Sequence, residues 1–261
     1  MNDWRSLLED GYLSSLWLLD REPGPLDFHG AFIPAVAEGI IRRWCLEDGW
    51  IWDPMCGSGT TGYVAAQWGR NAFLTDLNPI APSIGQGDAR HIAVYESSSN
   101  PAVATIQGPH HGRRFKFDAI VLHPPYHNII QFSDNPDDLS NCGSVTEFLM
   151  EWRQVVHNTA AHLRDKGYLV IVAGDIWITR EIAKQTGEPY GHYPLAHDCL
   201  QEALEVMSIE QMAPVLKAIV TKDIKNNQAR AKQRNLWASR YEKWGAVFFE
   251  TETIAAIQKG V

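Results

Sequence analysis

Residues 50–62 read Trp50-Ile51-Trp52-Asp53-Pro54-Met55-Cys56-Gly57-Ser58-Gly59-Thr60-Thr61-Gly62. A short apolar run ends at a carboxylate, and glycines punctuate the residues after it. This is the pattern of a buried strand, a turn in which glycine lets the backbone bend tightly and approach a ligand, and a helix from about Thr60 to Trp68. Residues 71–75 (NAFLT) then read as a second strand that ends at Asp76. Strand, glycine loop, helix and strand in this order open a doubly wound α/β sheet.

The pattern continues on both sides. Pro34 suits the first turn of a helix reaching about Cys45, with Val36, Ile40, Ile41 and Trp44 on one face. Residues 2–20 read as an amphipathic helix, broken at Gly11, and residues 21–30 as a Pro- and Gly-bearing loop. Residues 96–114 read as a long surface loop that includes His110 and His111, and Asp118–Leu122 as the next strand. Ser144 and Glu147 form a capping box for a helix with Phe148, Leu149, Trp152, Val155, Val156 and Leu163 inward. Tyr168–Ala173 reads as a strand, Pro194 opens another helix, and Val215–Thr221 and Ala246–Glu252 read as a final strand pair. Trp50, Trp52 and Trp152 are expected in the core. The whole, residues 1–261, is expected to be one domain, with residues 222–245 as a small basic insertion.

Two loops carry candidate chemistry. The glycine loop lacks the lysine of a Gly-Lys-Ser/Thr phosphate loop, so a nucleoside triphosphate is disfavoured. An acidic residue about twenty positions on is the usual partner of ribose hydroxyls, and Asp76 occupies that place. Asp88, in Gly87-Asp88-Ala89-Arg90, then suits an adenine amino group. The plainer alternative is ordinary strand-to-helix punctuation. The second loop is Ile120-Val121-Leu122-His123-Pro124-Pro125-Tyr126-His127. Two prolines cannot continue strand pairing, and they force a rigid exit at the carboxyl edge of the sheet. His123 and the Pro124 carbonyl are presented there, and Tyr126 comes next with a ring able to stack on a planar substrate. A structural Pro-Pro turn with a surface aromatic is the alternative.

Together, DPMCGSGTTG and HPPY resemble the amino-methylating (N6-adenine/N4-cytosine) site-specific DNA methyltransferase family, with its DPxxGxGTT-type cofactor loop and its (Asp/Asn/Ser)-Pro-Pro-aromatic catalytic loop. The segment Phe28-His29-Gly30-Ala31-Phe32-Ile33-Pro34 is similar to the one that closes over the methionine end of the cofactor, and the motif order is γ-like. The resemblance covers roughly residues 28–175. It implies a Rossmann-like doubly wound mixed sheet of the class I S-adenosylmethionine-dependent methyltransferase kind, with a C-terminal antiparallel strand pair. It implies S-adenosyl-L-methionine as cofactor, bound by Phe28, His29, Phe32, Asp53, Pro54, Cys56, Gly57, Ser58, Gly59, Thr60, Asp76, Leu77, Asp88 and Ala89. It implies catalysis by His123, Pro124, Pro125 and Tyr126 on a base flipped out of double-stranded DNA, without a metal, as in restriction-modification systems. His123 departs from the family pattern, which has an acid, an amide or a serine. A neutral imidazole has one acceptor nitrogen and an imidazolium has none, so activity is expected to fall below about pH 6–6.5, near the free histidine value. Adenine is slightly preferred over cytosine; RNA, and a degenerate DNA-binding partner subunit, are the alternatives.

Composition sets outer bounds. The chain has 261 residues, 45% of them hydrophobic and 21% charged, which suits a globular α/β protein. No apolar run approaches the roughly 18 residues of a membrane span, and Met1–Asp10 lacks a signal-peptide pattern. Cys45, Cys56, Cys142 and Cys199 form no CxxC pair, so a reduced, cytoplasmic setting is expected. The net charge is −8, yet seven basic residues face two acidic ones between Lys222 and Lys243, a local +5 against −13 elsewhere. That window suits DNA phosphates, through Lys222, Lys225, Arg230, Lys232 and Arg234, with neighbouring amides able to read base edges. A solvated loop is the alternative. His127, Asn128 and Ser133 contact the flipped nucleotide or, more plainly, are solvated; Asp175 closes the substrate pocket or caps a turn. A homodimer or a partner subunit stays open.

Overall fold

The computed structural model describes residues 4–20, 33–91, 116–127, 131–225 and 251–261. Strand β2 (Trp50–Asp53) sits near the middle of the sheet because its side chains, Ile51 and Trp52 above all, are buried. It pairs in parallel with β3 (Asn71–Asp76) on one side and β5 (Phe117–Leu122) on the other. Strand β5 is buried along its whole length, as a continuous apolar run with helices on both faces requires. Outward from β3 lies the two-residue β4 (Gly85–Gln86). Outward from β5 come β6 (Leu163–Ala173), β10 (Thr251–Gln258), β9 (Val215–Lys225) and β1 (Leu16–Asp20), giving one eight-stranded sheet. Among the described strands of this sheet only β10 runs against its neighbours, antiparallel to both β6 and β9. This is the expected Rossmann-like, doubly wound mixed sheet, and β9 and β10 are the expected antiparallel pair.

Two apolar layers cover the sheet. Helices α4 (Val145–Ala160) and α6 (Leu195–Ile209) bury Phe148, Trp152, Val155, Leu195 and Cys199 against Trp52, Ile120, Leu122, Leu169 and Ile171. Helices α1 (Trp4–Glu9), α2 (Pro34–Trp44) and α3 (Thr60–Gln67) cover the other face, where Ile40 and Ile41 meet Ile51, Val121, Val170 and Ile254. The Ser144 half of the capping box is formed, the Glu147 amide donating to Ser144 Oγ at 3.1 Å, while the Glu147 carboxylate accepts from the Gly143 amide, one residue before the cap, at 2.7 Å.

Four elements differ from the sequence expectation. The helix expected over 2–20 stops at Glu9, and residues 16–20 form an edge strand in parallel register with β9, Leu16 opposite Thr221. Gly11 turns the chain at φ 79°, and the exposure of residues 16–20 alternates strictly, with Trp17 and Leu19 inward. The last strand runs on to Gln258, past its expected end at Glu252, because Ile254 and Ala256 pack on one face of the sheet and Ala255 and Ile257 on the other. Residues 246–250 lie outside the described residues. Leu163, expected on the α4 face, opens β6. A separate ribbon, β7 (Ile176–Ile178) with β8 (Gly191–Tyr193), frames the short helix α5 (Arg180–Thr186) and carried no clear sequence signal.

Trp17 anchors the edge strand: it is 1% exposed, meets Tyr12 edge-on at 5.2 Å, stacks on Trp44 at 6.1 Å, and donates from Nε1 to the Tyr12 carbonyl. Trp17→Ala is expected to cost about 3–5 kcal/mol, read as a lower urea midpoint at unchanged m-value. Leu18→Ser, on the exposed side of the same strand, is expected to stay within about 0.5 kcal/mol.

Candidate active site

The glycine loop is built on two carboxylates. Asp53, at the end of β2, is 2% exposed; it accepts from Thr61 Oγ1 at 2.6 Å and from the Met55 amide at 3.3 Å. Burial pushes its carboxyl up to about 7, against the pull of those two hydrogen bonds, and nearby Asp76 adds to the rise. Gly57 at φ 51° and Gly59 at φ 79° hold left-handed conformations that a side chain disfavours, and Gly59 starts α3. Asp76, at the end of β3, accepts from the Gly57 amide at 2.8 Å and from the Asn78 amide at 2.9 Å. Asp76 therefore shapes the loop first, and each oxygen keeps a further lone pair for a ligand. Burial pushes the Cys56 thiol upward, beside Asp53 and Asp76, which makes it a poor nucleophile.

Strand β5 ends at Leu122, and His123-Pro124-Pro125-Tyr126 turns along the carboxyl edge. His123 Nε2 lies 3.2 Å from Tyr126 Oη, the donor set by the tautomer, and the rings meet edge-on. Burial lowers the His123 imidazole to about 4; Glu252 raises it and Lys222 lowers it, both by smaller amounts. The decline expected below pH 6–6.5 therefore moves to about pH 4, since the ring stays neutral through the range where a free histidine takes up its proton.

The two loops share one cavity of about 270 Å³. Asp53, Pro54, Cys56, Gly57, Thr60, Asp76, Leu77, Asp88 and Ala89 line it together with His123, Pro124, Pro125 and Tyr126. Ser58 and Gly59 shape the loop without lining the cavity; Ser58 is buried, its Oγ 3.3 Å from Thr60 Oγ1. A third wall, Phe132, Asp137, Asp138 and Leu139, was not foreseen. Its anchor is Arg90, whose guanidinium forks onto Asp88 and also reaches Asp137 at 2.9 Å and Glu151 at 2.8 Å. Asp88 thus borders the cavity as a carboxylate already held by Arg90. Acceptor oxygens at Asp76 beside apolar Leu77, Ile80 and Ala89 fit a ribose and a flat ring, so the residues present fit an adenosyl cofactor.

Other expected site residues are placed differently. Lys222 is 3% exposed and ion-paired with Glu252, so its ammonium is held inside the protein and not offered to phosphate. His127 is not solvated: it is fully buried at φ 50° against Phe148, with neither ring nitrogen hydrogen-bonded among the described residues. Ser133 donates to Asp138 at 2.7 Å. Asp175 accepts from the Ala196 amide at the start of α6 and lies 2.9 Å from His192, the structural role of its two readings. Trp52 and Trp152 are core, and Trp50 packs partly buried against them. Phe28, His29, Phe32, His110, His111, Asn128, Arg230, Lys232 and Arg234 lie outside the described residues; of Lys225 only the backbone is described.

Residues 15–85 match the family model of the N6/N4 DNA methylases. The chain resembles that family. The matched stretch holds the whole glycine loop and Asp76, and it stops short of HPPY. No curated protein matches the chain. Among solved structures, TrmN from Thermus thermophilus is 14% identical, over 88% of this chain and 50% of that one, at a TM-score of 0.46. TTHA0409, also from Thermus thermophilus, provisionally assigned as a DNA modification methylase and solved with S-adenosyl-L-methionine, is 19% identical over 67% of this chain and 54% of that one, at 0.38. The N-methyltransferase NodS from Bradyrhizobium japonicum, solved with S-adenosyl-L-homocysteine, is 13% identical over 99% of each chain, at 0.44. The chain spans about half the length of the first two. No helix among the described residues is long and apolar enough to cross a membrane.

The Asp53 carboxyl supplies a test of the loop. Its native value lies above its unfolded one, so the folded protein holds a proton that the unfolded chain releases, and stability falls as pH rises from about 4 to about 7. Thr61→Val removes a donor to the ionised form. It is expected to cost about 1–3 kcal/mol at pH 8 and clearly less at pH 5, read by urea unfolding at both.

Proposed function

We propose that this chain transfers the methyl group of S-adenosyl-L-methionine to the exocyclic amino group of a base flipped out of double-stranded DNA, adenine N6 ahead of cytosine N4. The observation that carries this is the single cavity walled by the glycine loop on one side and by His123-Pro124-Pro125-Tyr126 on the other. The match of residues 15–85 to the DNA methylases supports the substrate class.

The cofactor, when bound, supplies an electrophilic methyl on a sulfonium. Asp76 would hold its ribose, and Leu77, Ile80 and Ala89 its flat ring. An exocyclic amine is a weak nucleophile because its lone pair is delocalised into the ring. Two acceptors on its hydrogens, the Pro124 carbonyl and neutral His123, favour a more tetrahedral nitrogen, and Tyr126 stacks on the base. The amine that gains a methyl must release a proton. An imidazole held at about 4 binds a proton weakly, so His123 orients the amine and the proton it releases ends on solvent water. Holding the amine in line with the methyl supplies much of the acceleration. Lys225, Arg230, Lys232 and Arg234 are proposed to grip phosphates, which makes DNA binding fall with added salt.

The deciding experiment is nucleoside mass spectrometry of duplex DNA incubated with the protein and S-adenosyl-L-methionine, beside His123→Ala. We expect N6-methyladenine, or else N4-methylcytosine, and a loss on the order of 100-fold or more in the variant. Methylation confined to RNA, or no methylated base despite cofactor binding, overturns the reading. The single-turnover rate is expected to be flat from pH 8 to pH 5 and to halve near the His123 value of about 4; a rate that does not fall on passing below about pH 4 would remove His123 from the acceptor role.

A further inference from the structure

Among the described residues that line the cavity, His123 supplies the strongest nitrogen nucleophile. The unprotonated nitrogen of a neutral imidazole keeps its lone pair in the ring plane, outside the π system, whereas the Asn78 amide pair is delocalised and the Arg90 guanidinium is a cation. The other nucleophiles of the wall are poorer. Burial holds Cys56 as the thiol. Asp53 and Asp76 each accept two hydrogen bonds, and Asp88 is held by Arg90. The imidazole pair is also more nucleophilic than the base amine of the proposed reaction, whose own pair is spread into its ring. A histidine at the head of this loop, beside a sulfonium methyl, is therefore exposed to a hazard that an amide or a serine there meets far less. The tyrosine of the same loop lies over the nitrogen in question. Tyr126 Oη is 3.2 Å from His123 Nε2, and the rings meet edge-on with centroids 5.8 Å apart. The phenol is held in this place from two sides. A methyl group at Gly174 would stand 3.0 Å from Tyr126 Cε2 and 3.4 Å from Cζ, so the ring packs on bare backbone just past β6. The His127 amide donates to the Pro125 carbonyl at 2.9 Å, closing a tight turn around Tyr126, and the His127 ring is buried against Phe148. Stacking on a base needs only an aromatic ring; the hydroxyl is additional to it.

We propose that the Tyr126 hydroxyl shields His123 Nε2 from the methyl group of S-adenosyl-L-methionine while no base is in place, and that His123 is a latent self-methylation site of this chain. The phenol donates to Nε2, which leaves the ring proton on Nδ1. A base that enters brings amine hydrogens to the same nitrogen and takes the phenol's place. In the proposed reaction the acceptor of those hydrogens stands behind the nitrogen that meets the methyl. With neither base nor phenol present, it is the next lone pair in line. The self-methylation step balances as follows: the Nε2 lone pair bonds to the methyl carbon, the carbon–sulfur bond breaks with its electron pair going to sulfur, S-adenosyl-L-homocysteine leaves as a neutral thioether, and the imidazolium so formed releases its Nδ1 proton to water. The product has no lone pair at Nε2 and cannot accept from an amine there, so the shield protects the working state of the loop. The inference rests on the reading of His123 as the acceptor for the base amine, but its test contains no nucleic acid.

The test is incubation of the full chain, wild type beside Tyr126→Phe, with S-adenosyl-L-methionine alone, followed by mass spectrometry of the peptide that holds His123. The rate follows the fraction of time that Nε2 is uncovered. We therefore expect Y126F to gain one methyl group on His123 about 2- to 10-fold faster than the wild type, the worth of one ordinary hydrogen bond, and excess S-adenosyl-L-homocysteine to stop the gain. No methyl on His123 in Y126F, or equal rates in the two proteins, overturns the proposal. A second readout needs no cofactor. In the imidazole 15N NMR spectrum at neutral pH, His123 should show the Nδ1–H tautomer, and its Nε2 resonance should move when the phenol is lost in Y126F. An Nε2–H tautomer in the wild type also overturns the proposal, because that nitrogen then has no lone pair to shield. A chain that methylates no base in duplex DNA, yet methylates His123 faster once Tyr126 loses its hydroxyl, upholds the shield and defeats only the proposed substrate. A chain that methylates DNA while His123 stays unmodified in Y126F does the reverse.

Discussion

The parallel pairing of β2 with β5, Ile51 beside Ala119 and Trp52 beside Ile120, is the constraint on which the site depends. It ends both strands at the same edge, so the loop after Asp53 and the loop after Leu122 open onto one cavity. Burial enforces it. Trp52 packs against both Phe73 and Phe117, with ring centroids 5.9 and 5.3 Å away, and its Nε1 donates to Thr75 Oγ1 at 3.0 Å. The Asp118 carboxylate, at the foot of β5, accepts from the Trp50 amide at 2.7 Å and pairs with Arg164 at 2.6 Å. A slip of one residue would turn every inward side chain of β5 to the opposite layer.

The parts of this arrangement that obey local rules were legible in the sequence. The glycine loop announces itself because positive φ is cheap only for glycine, and Pro124-Pro125 because proline cannot donate to a ladder. The helix cap at Ser144 needs only four residues to be recognised. What was hidden depends on partners far along the chain. Residues 16–20 alternate in burial, but five residues beside a helical segment do not outweigh a helical reading until β9 is there to pair with them. Lys222 looked like one more cation in a basic window; only the register opposite Glu252 shows that its charge is already matched. The wall at 131–142 hangs on Arg90, whose three carboxylate partners are scattered from Asp88 to Glu151.

The electrostatics of the site follow from burial more than from charge. The Asp53 carboxyl is raised and the His123 imidazole is lowered, and desolvation is the leading cause in both. Each change favours the neutral form. The floor of the cavity is therefore nearly uncharged at neutral pH on its His123 side, although the chain as a whole carries −8. For the proposed reaction, a polar but uncharged acceptor pair is what a neutral amine calls for, and a cationic cofactor would gain nothing from a second cation at that point.

The placement of β10 bears on how the molecule assembles. It is the filling strand between β6 and β9, and among the described residues β1 pairs with β9 alone. Strand β1 therefore waits for a partner roughly 200 residues away, Leu16 against Thr221, and β9 in turn waits for residues 251–258 to bridge it to β6. Such distant closures slow folding, because the entropy of loop closure is lost before the contacts are gained. Until β10 arrives, β6 presents an open edge to solvent, and with it a template for another chain.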